Sequence, residues 1–191
     1  MAVVLDINMC CKKTLNIKKL VEDYGIAVKS IGSIDNWRWE NQQKLDAVDQ
    51  ITNVVNMNKI IIIELMSSSF KNSGIYIEKI NSLYIYTFWM NTEGYPEMDR
   101  DAINSENSSF YEKIYQVILN LENLAPNTIE TVGIGIETYF SYSENLMKMI
   151  RDSRNMNTWI LDGSVKTDKI LEGYKKRKLT KFMLFERVEN E

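Results

Sequence analysis

Histidine is absent from the 191 residues of this chain, and that absence narrows its chemistry more than any motif does. Without imidazole there is no Ser-His or Cys-His nucleophile pair and no His-based zinc site, so catalysis would fall to carboxylates, lysine or tyrosine. Cysteine is scarce as well. The two present, Cys10 and Cys11, are adjacent, and neighbours in sequence rarely reach disulfide geometry, so they read as reduced thiols near a strand end. Long hydrophobic runs are missing: no stretch approaches the ~18–20 apolar residues that would cross a bilayer. The first residues carry no basic leader and Asp6 interrupts their apolar run, so a cytoplasmic protein without a signal peptide or membrane association is expected. Repeats, low-complexity tracts and linkers rich in Pro, Gly or Ser are also lacking, which predicts one domain over residues 1–191. No cofactor and no metal site are expected.

What is present is ordinary for a globular protein, with 45% hydrophobic and 26% charged residues and a net charge of −3. A chain of this length buries roughly 70% of the surface its unfolded form exposes. The organising stretch is residues 59–90. Ile60-Ile61-Ile62-Ile63-Glu64-Leu65-Met66 is β-branched and short, the mark of a central strand covered on both faces. After a turn around Asn72-Ser73-Gly74, two alternating runs follow, joined by Asn81-Ser82. In the second, Leu83, Ile85, Thr87 and Trp89 share one face and Tyr84, Tyr86 and Phe88 the other. This predicts an antiparallel three-stranded meander.

Elsewhere, residues 2–7 read as a strand and residues 14–24 as an amphipathic helix stopped by Gly25. Residues 26–28 read as a short strand and residues 32–35 as a turn. Leu45, Val48, Ile51 and Val55 then mark a second helix within 37–55. Residues 91–107 form a long loop with five acids against one base. Phe110, Ile114, Val117, Leu121 and Leu124 line one face of the clearest helix, capped by Ser105, Ser108 or Ser109 and followed by Pro126. A strand at 129–136, a helix at 143–154, a strand at 158–161, a short helix at 167–174 and a closing strand at 182–185 complete the chain. Helices alternate with strands at the two ends while strands run consecutively in the middle. The expected fold class is therefore α+β, a central, largely antiparallel or mixed sheet with helices packed on it.

Gly133-Ile134-Gly135 lacks the third glycine of a dinucleotide loop and the Lys and Ser/Thr of a phosphate loop, so it reads as a bulge or close backbone approach in a strand. Glu64 and Glu137 sit at strand ends, where carboxylates are usually solvated or paired; a converging pair would do acid/base chemistry. Lys175-Lys176-Arg177-Lys178, with Lys166, Lys169 and Lys181 near, lacks interleaved aromatics and reads as a solvated turn, with no nucleic acid expected. Trp37, Trp39, Trp89 and Tyr95 either complete the core or, beside Glu93, Glu97, Asp99 and Asp101, provide aromatic anchors in an acidic rim suited to a basic protein.

The isoleucine run with its continuation to Phe70, the stretch Tyr84-Ile85-Tyr86-Thr87-Phe88-Trp89-Met90-Asn91-Thr92-Glu93-Gly94-Tyr95-Pro96, and Ile134-Gly135-Ile136-Glu137-Thr138-Tyr139-Phe140 give the chain the character of a small acidic protein with an aromatic sheet. In that character it resembles the immunity proteins of bacterial polymorphic and contact-dependent toxin systems. The resemblance implies a non-enzymatic inhibitor that binds a cognate toxin, basic in its cleft, through Trp89, Glu93, Tyr95, Glu97, Asp99 and Asp101, with Trp37 and Trp39 in second place. Two rival readings stand beside it: a carboxylate-dependent enzyme acting on a sugar or nucleotide, and a regulatory protein that uses the same surface on its own copy as a homodimer.

Overall fold

The computed structural model describes residues 3–66, 72–93, 95–165 and 171–189. Among these residues ten strands, β1 (Val4–Cys11), β2 (Ala27–Ile34), β3 (Gln43–Lys44), β4 (Ile60–Met66), β5 (Ser73–Ile80), β6 (Leu83–Asn91), β7 (Ile129–Tyr139), β8 (Arg154–Asp162), β9 (Lys175–Leu179) and β10 (Phe182–Glu186), form one open sheet. Their order is β3-β2-β4-β5-β6-β1-β7-β8-β10-β9, and every strand pairing is antiparallel. Helices α1 (Ile17–Asp23), α2 (Ile51–Asn56), α3 (Ser108–Leu124) and α4 (Leu146–Asp152) are secondary to it, so the protein is mainly sheet. Among the described residues no helix is long and apolar enough to cross a membrane.

Side chains alternate across a strand, and in β1 that rule separates two layers. Leu5, Ile7, Met9 and Cys11 join the main core with Ile61, Ile63, Ile75, Ile77 and Tyr86 under α1, α2 and α3. Asp6, Asn8 and Cys10 face the other way. There Cys10 meets Met149 of α4 and Ile85, while Trp159, Leu161 and Phe185 pack with Ile150. The second face is thus covered by α4 and residues 140–146 over one part of the sheet only. The two thiols are free, buried and on opposite faces, and burial pushes the Cys10 thiol up to about 12, which keeps it protonated and inert.

The meander is present: β4, β5 and β6 are consecutive neighbours, and Ile80 pairs with Leu83 across the two-residue loop. Asn81 there takes φ +55°, the left-handed value that primed turns need and that asparagine tolerates without glycine. β4 is not central, however. It lies third from one margin, and the middle of the sheet is β6 beside β1, because an apolar strand records burial on its faces and says nothing about how many strands flank it.

Several other expectations are corrected. The helix within 37–55 shrinks to a 3-10 turn at Val48–Gln50 and α2. β2 continues through the expected turn at 32–35 as far as Ile34. The basic run at 175–178 is an edge strand, β9. Exposed lysines on an edge deter pairing with another chain, which is why a strand there carries the composition of a turn. The helix expected at 167–174 falls partly outside the described residues, and what is described, residues 171–174, is a turn closed by Tyr174 N–H donating to the Leu171 carbonyl. In α3 the cap residue is Asn107, and the buried stripe runs through Tyr111, Ile114, Tyr115, Ile118 and Leu121, whereas Leu124 is exposed. The two tyrosines carry hydroxyls that find partners inside: Asn157 Nδ2 donates to Tyr111 at 2.5 Å, and Tyr115 donates to Glu186 at 3.0 Å.

Candidate functional site

Antiparallel register sets the uncovered part of the second face in rows. Glu64, Gly74, Trp89, Asp6 and Gly135 oppose one another in turn. The next row runs Ile62, Tyr76, Thr87, Asn8 and Gly133, and the third includes Glu78, Ile85 and Cys10. A cleft of about 570 Å³ opens over these rows, with Asp6, Asn8, Tyr76, Glu78, Ile85 and Thr87 in its lining, Trp37 at the β5 side and residues 138–142 at the β7 side. Among the described residues its lining holds two carboxylates and no lysine or arginine.

The floor is tied by a chain of hydrogen bonds across three strands. Thr87 Oγ1 donates to Asn8 Oδ1 at 3.0 Å, Asn8 Nδ2 donates to Thr138 Oγ1 at 2.9 Å, and Thr138 donates from Oγ1 and from its backbone N–H to Asp6 Oδ2 at 3.0 and 2.9 Å. At the other end Trp37 Nε1 donates to Glu78 Oε2 at 3.3 Å. Burial raises the Asp6 carboxyl above its ordinary value, the Thr138 bonds opposing. Burial likewise raises Glu78 against the bond from Trp37. Neither makes an ion pair among the described residues.

A raised carboxyl favours its protonated form in the fold, so its cost to stability is present above the raised value and relieved as pH falls toward the ordinary carboxylate range. Glu78→Gln is therefore expected to raise the melting temperature by about 2 °C at neutral pH. The gap should close as the solution is acidified toward pH ~4 in calorimetric scans. A gap that widens on acidification would show that Glu78 is stabilised as an anion.

The aromatic side of the cleft is a tier. Trp37 meets Tyr76 edge to face at 5.3 Å between centroids, and Tyr76 stacks on Trp89 at 6.0 Å and 25°. Gly74 makes room for this, since a Cβ there would lie 2.6 Å from the Trp89 ring and 2.4 Å from the Ile63 carbonyl oxygen. Trp89 is half-buried, and its indole N–H has no hydrogen-bond partner among the described residues. Trp37 and Trp39, by contrast, are 49% and 51% exposed. Their segment is wound by its own polar groups rather than helical: Asp35 N–H donates to the Glu40 carbonyl, Arg38 N–H to Asn36 Oδ1 and Asn41 Nδ2 to Asp35 Oδ2. Trp39 and Asn41 take positive φ. Local bonding by Asn and Asp competes with helix, and here it displaces the helix that the apolar spacing predicted. An ion pair from Lys59 to Asp35 at 3.1 Å fastens the segment to the sheet.

The acids of the 91–107 segment are brought to the end of β6 on a folded loop. Met98 and Ile103 are buried, and Asn107 donates to the Glu97 and Ala102 carbonyls at 3.1 and 3.3 Å. Glu93, Asp99 and Asp101 are exposed and Glu97 half-buried; none is ion-paired among the described residues. Asp99 accepts a short bond from Thr92 Oγ1. Tyr95 packs against the main core, so it is no free anchor.

The carboxylate pairs available for catalysis do not converge. Glu64 is held by Ser30 at 3.0 Å and Lys29 at 3.2 Å, and β4 stands four strand spacings from β7, roughly 19 Å from Glu137. Asp6 and Glu78 line the same cleft but stand two strands and four residues apart, about 16 Å between backbones, and each carboxylate is tied at its own end, Asp6 by Thr138 and Glu78 by Trp37. No three metal-ligating side chains cluster among the described residues.

Sequence reasoning reached Trp37 and Trp89 and missed Asp6, Asn8, Tyr76, Glu78 and Thr138. The signal for the first two was there: polar residues at alternate positions of an otherwise apolar strand mark a face that is not core. Compared with known protein families, curated proteins and solved structures, the chain matches none.

Proposed function

We propose that the chain is a non-enzymatic immunity protein, a single α+β domain that acts in the cytoplasm by binding a cognate toxin with a basic surface and occluding it. The observation that supports this best is the composition of the open sheet face, a concave, aromatic-walled cleft with two carboxylates that lack a cationic partner among the described residues; the loop after β6 adds further exposed acids. Negative charge left unpaired near half-buried rings is costly in isolation and favourable against a basic partner. The non-converging carboxylates favour binding over bond-breaking. The exposed acids of the loop serve approach and the cleft serves retention, since peripheral charge acts on association and buried contacts on release.

Two measurements test this. Affinity capture from the source cell with the full chain as bait is expected to recover one basic protein at equal stoichiometry, whose toxicity the chain neutralises. A bait that recovers no basic protein, or a preparation that turns over a small molecule, overturns the proposal. With the partner in hand, the double variant Glu93→Lys, Asp101→Lys is expected to slow association at least ~10-fold at low salt with little change in release, the difference vanishing near ~0.5 M salt. Equal association rates at low salt would remove the loop from the interface.

A further inference from the structure

We propose that the cleft is a receptor for one arginine side chain of that basic partner, its guanidinium bound by Glu78 and lying against the Trp37 and Tyr76 rings. This rests on the partner-binding reading above and names the chemistry by which it would be achieved. Glu78 Oε2 is already engaged by the Trp37 indole at 3.3 Å, which fixes the carboxylate in place, while Oε1 has no hydrogen-bond partner among the described residues. A fixed carboxylate with one oxygen free, next to the ring of its own donor, matches the planar fork and flat face of a guanidinium better than the compact ammonium of lysine.

The rest of the lining agrees. Among the described residues no cation lines the cleft to compete, and the other acid, Asp6, adds negative field from its far end. Tyr139 and Tyr142 stand on the opposite wall, so the apolar stem of a long side chain would be flanked by rings. The volume of about 570 Å³ exceeds what one side chain fills, leaving space for the adjoining backbone of a protein partner. A neutral sugar would also suit rings and acids, but it would gain nothing from the absence of cations, and the test separates the two.

The test uses the full chain with its tryptophan indoles labelled, so that each of the 4 tryptophans gives its own resonance. Trp37 is assigned by Trp37→Phe, and the protein is titrated with acetyl-arginine methylamide, acetyl-citrulline methylamide, acetyl-lysine methylamide and glucose. The expected result is a saturable shift of the Trp37 indole with blocked arginine, at least ~10-fold weaker for the neutral isostere citrulline, intermediate for lysine and absent for glucose. The exposed Trp39 indole, on the same segment but outside the lining, should stay still. Glu78→Gln keeps an acceptor for the Trp37 N–H and should weaken blocked arginine at least ~10-fold while leaving the fold intact by circular dichroism. Arginine and citrulline acting alike, glucose shifting Trp37, or no saturable shift would each overturn the arginine assignment. Failure here is distinguishable from failure of the broader reading: a captured basic partner that Glu78→Gln binds as tightly as wild type removes the arginine receptor and leaves partner binding standing.

Discussion

Gly135→Ala is expected to cost at least about 4 kcal/mol and to lower the melting temperature by about 10 °C or more. The reason is backbone against backbone. A Cβ at residue 135 would sit 1.8 Å from the Asn155 carbonyl oxygen, 2.9 Å from its carbon and 3.0 Å from Met156 Cα. No flexible side chain is there to swing aside, so β7 and β8 would have to part. They meet at that point through an irregular register, with shifts on both sides of Gly135, and Glu137 and Asn155 both take positive φ. The extra residue of such a bulge turns the strand sharply and carries Thr138 back toward Asp6. Stability should therefore fall together with the hydrogen-bond chain on the cleft floor. A variant melting within ~3 °C of wild type would contradict the close approach.

Glu122→Ala ranks second, at about 3 kcal/mol. Glu122 is 5% exposed near the end of α3 and serves three donors: the backbone N–H of Ile129 at 2.9 Å, that of Asn127, and the Lys181 ammonium. It thereby clamps the turn from α3 into β7 and the β9–β10 hairpin with one side chain. Truncation leaves two backbone donors and an ammonium without their acceptor. Glu122→Gln keeps an acceptor and should cost less than half as much, and Lys181→Met should cost only about 1 kcal/mol because both backbone donors stay satisfied. Denaturant titrations of the three variants check the order; equal losses in Glu122→Ala and Lys181→Met would mean that the ion pair, not the backbone clamp, carries the effect.

How legible these features were depended on whether their cause was local. The faces of β6 could be read because period-two alternation is a property of one strand. The cap at Gly25 was equally local, with φ +61° where a left-handed residue ends α1. The helix expected over 37–55 failed because the spacing of Leu45, Val48, Ile51 and Val55 reports burial alone, while upstream the Asn36 side chain accepts the Arg38 N–H and the Asp35 and Asn41 side chains bind each other. β9 was hidden because its lysines face solvent and only two of its five residues turn inward, Leu179 into the core and Arg177 to Glu186 at 3.0 Å and to Glu112. The cleft was least visible, since its floor joins Asp6 to Thr138 across 132 positions and Trp37 to Glu78 across 41. Alternation flags each residue as facing away from the core; only the strand order says which of them meet.

The lysine-bearing margin formed by β9 has a consequence for self-association. Two copies joining edge to edge through this strand would bring the exposed Lys175, Lys176 and Lys178 of one alongside those of the other, and like charges set opposite across a ladder repel. The far margin, β3, offers only two residues to hold onto. Growth of the sheet into ribbons is thus opposed by charge at the β9 margin, which leaves the faces as the better route to a homodimer.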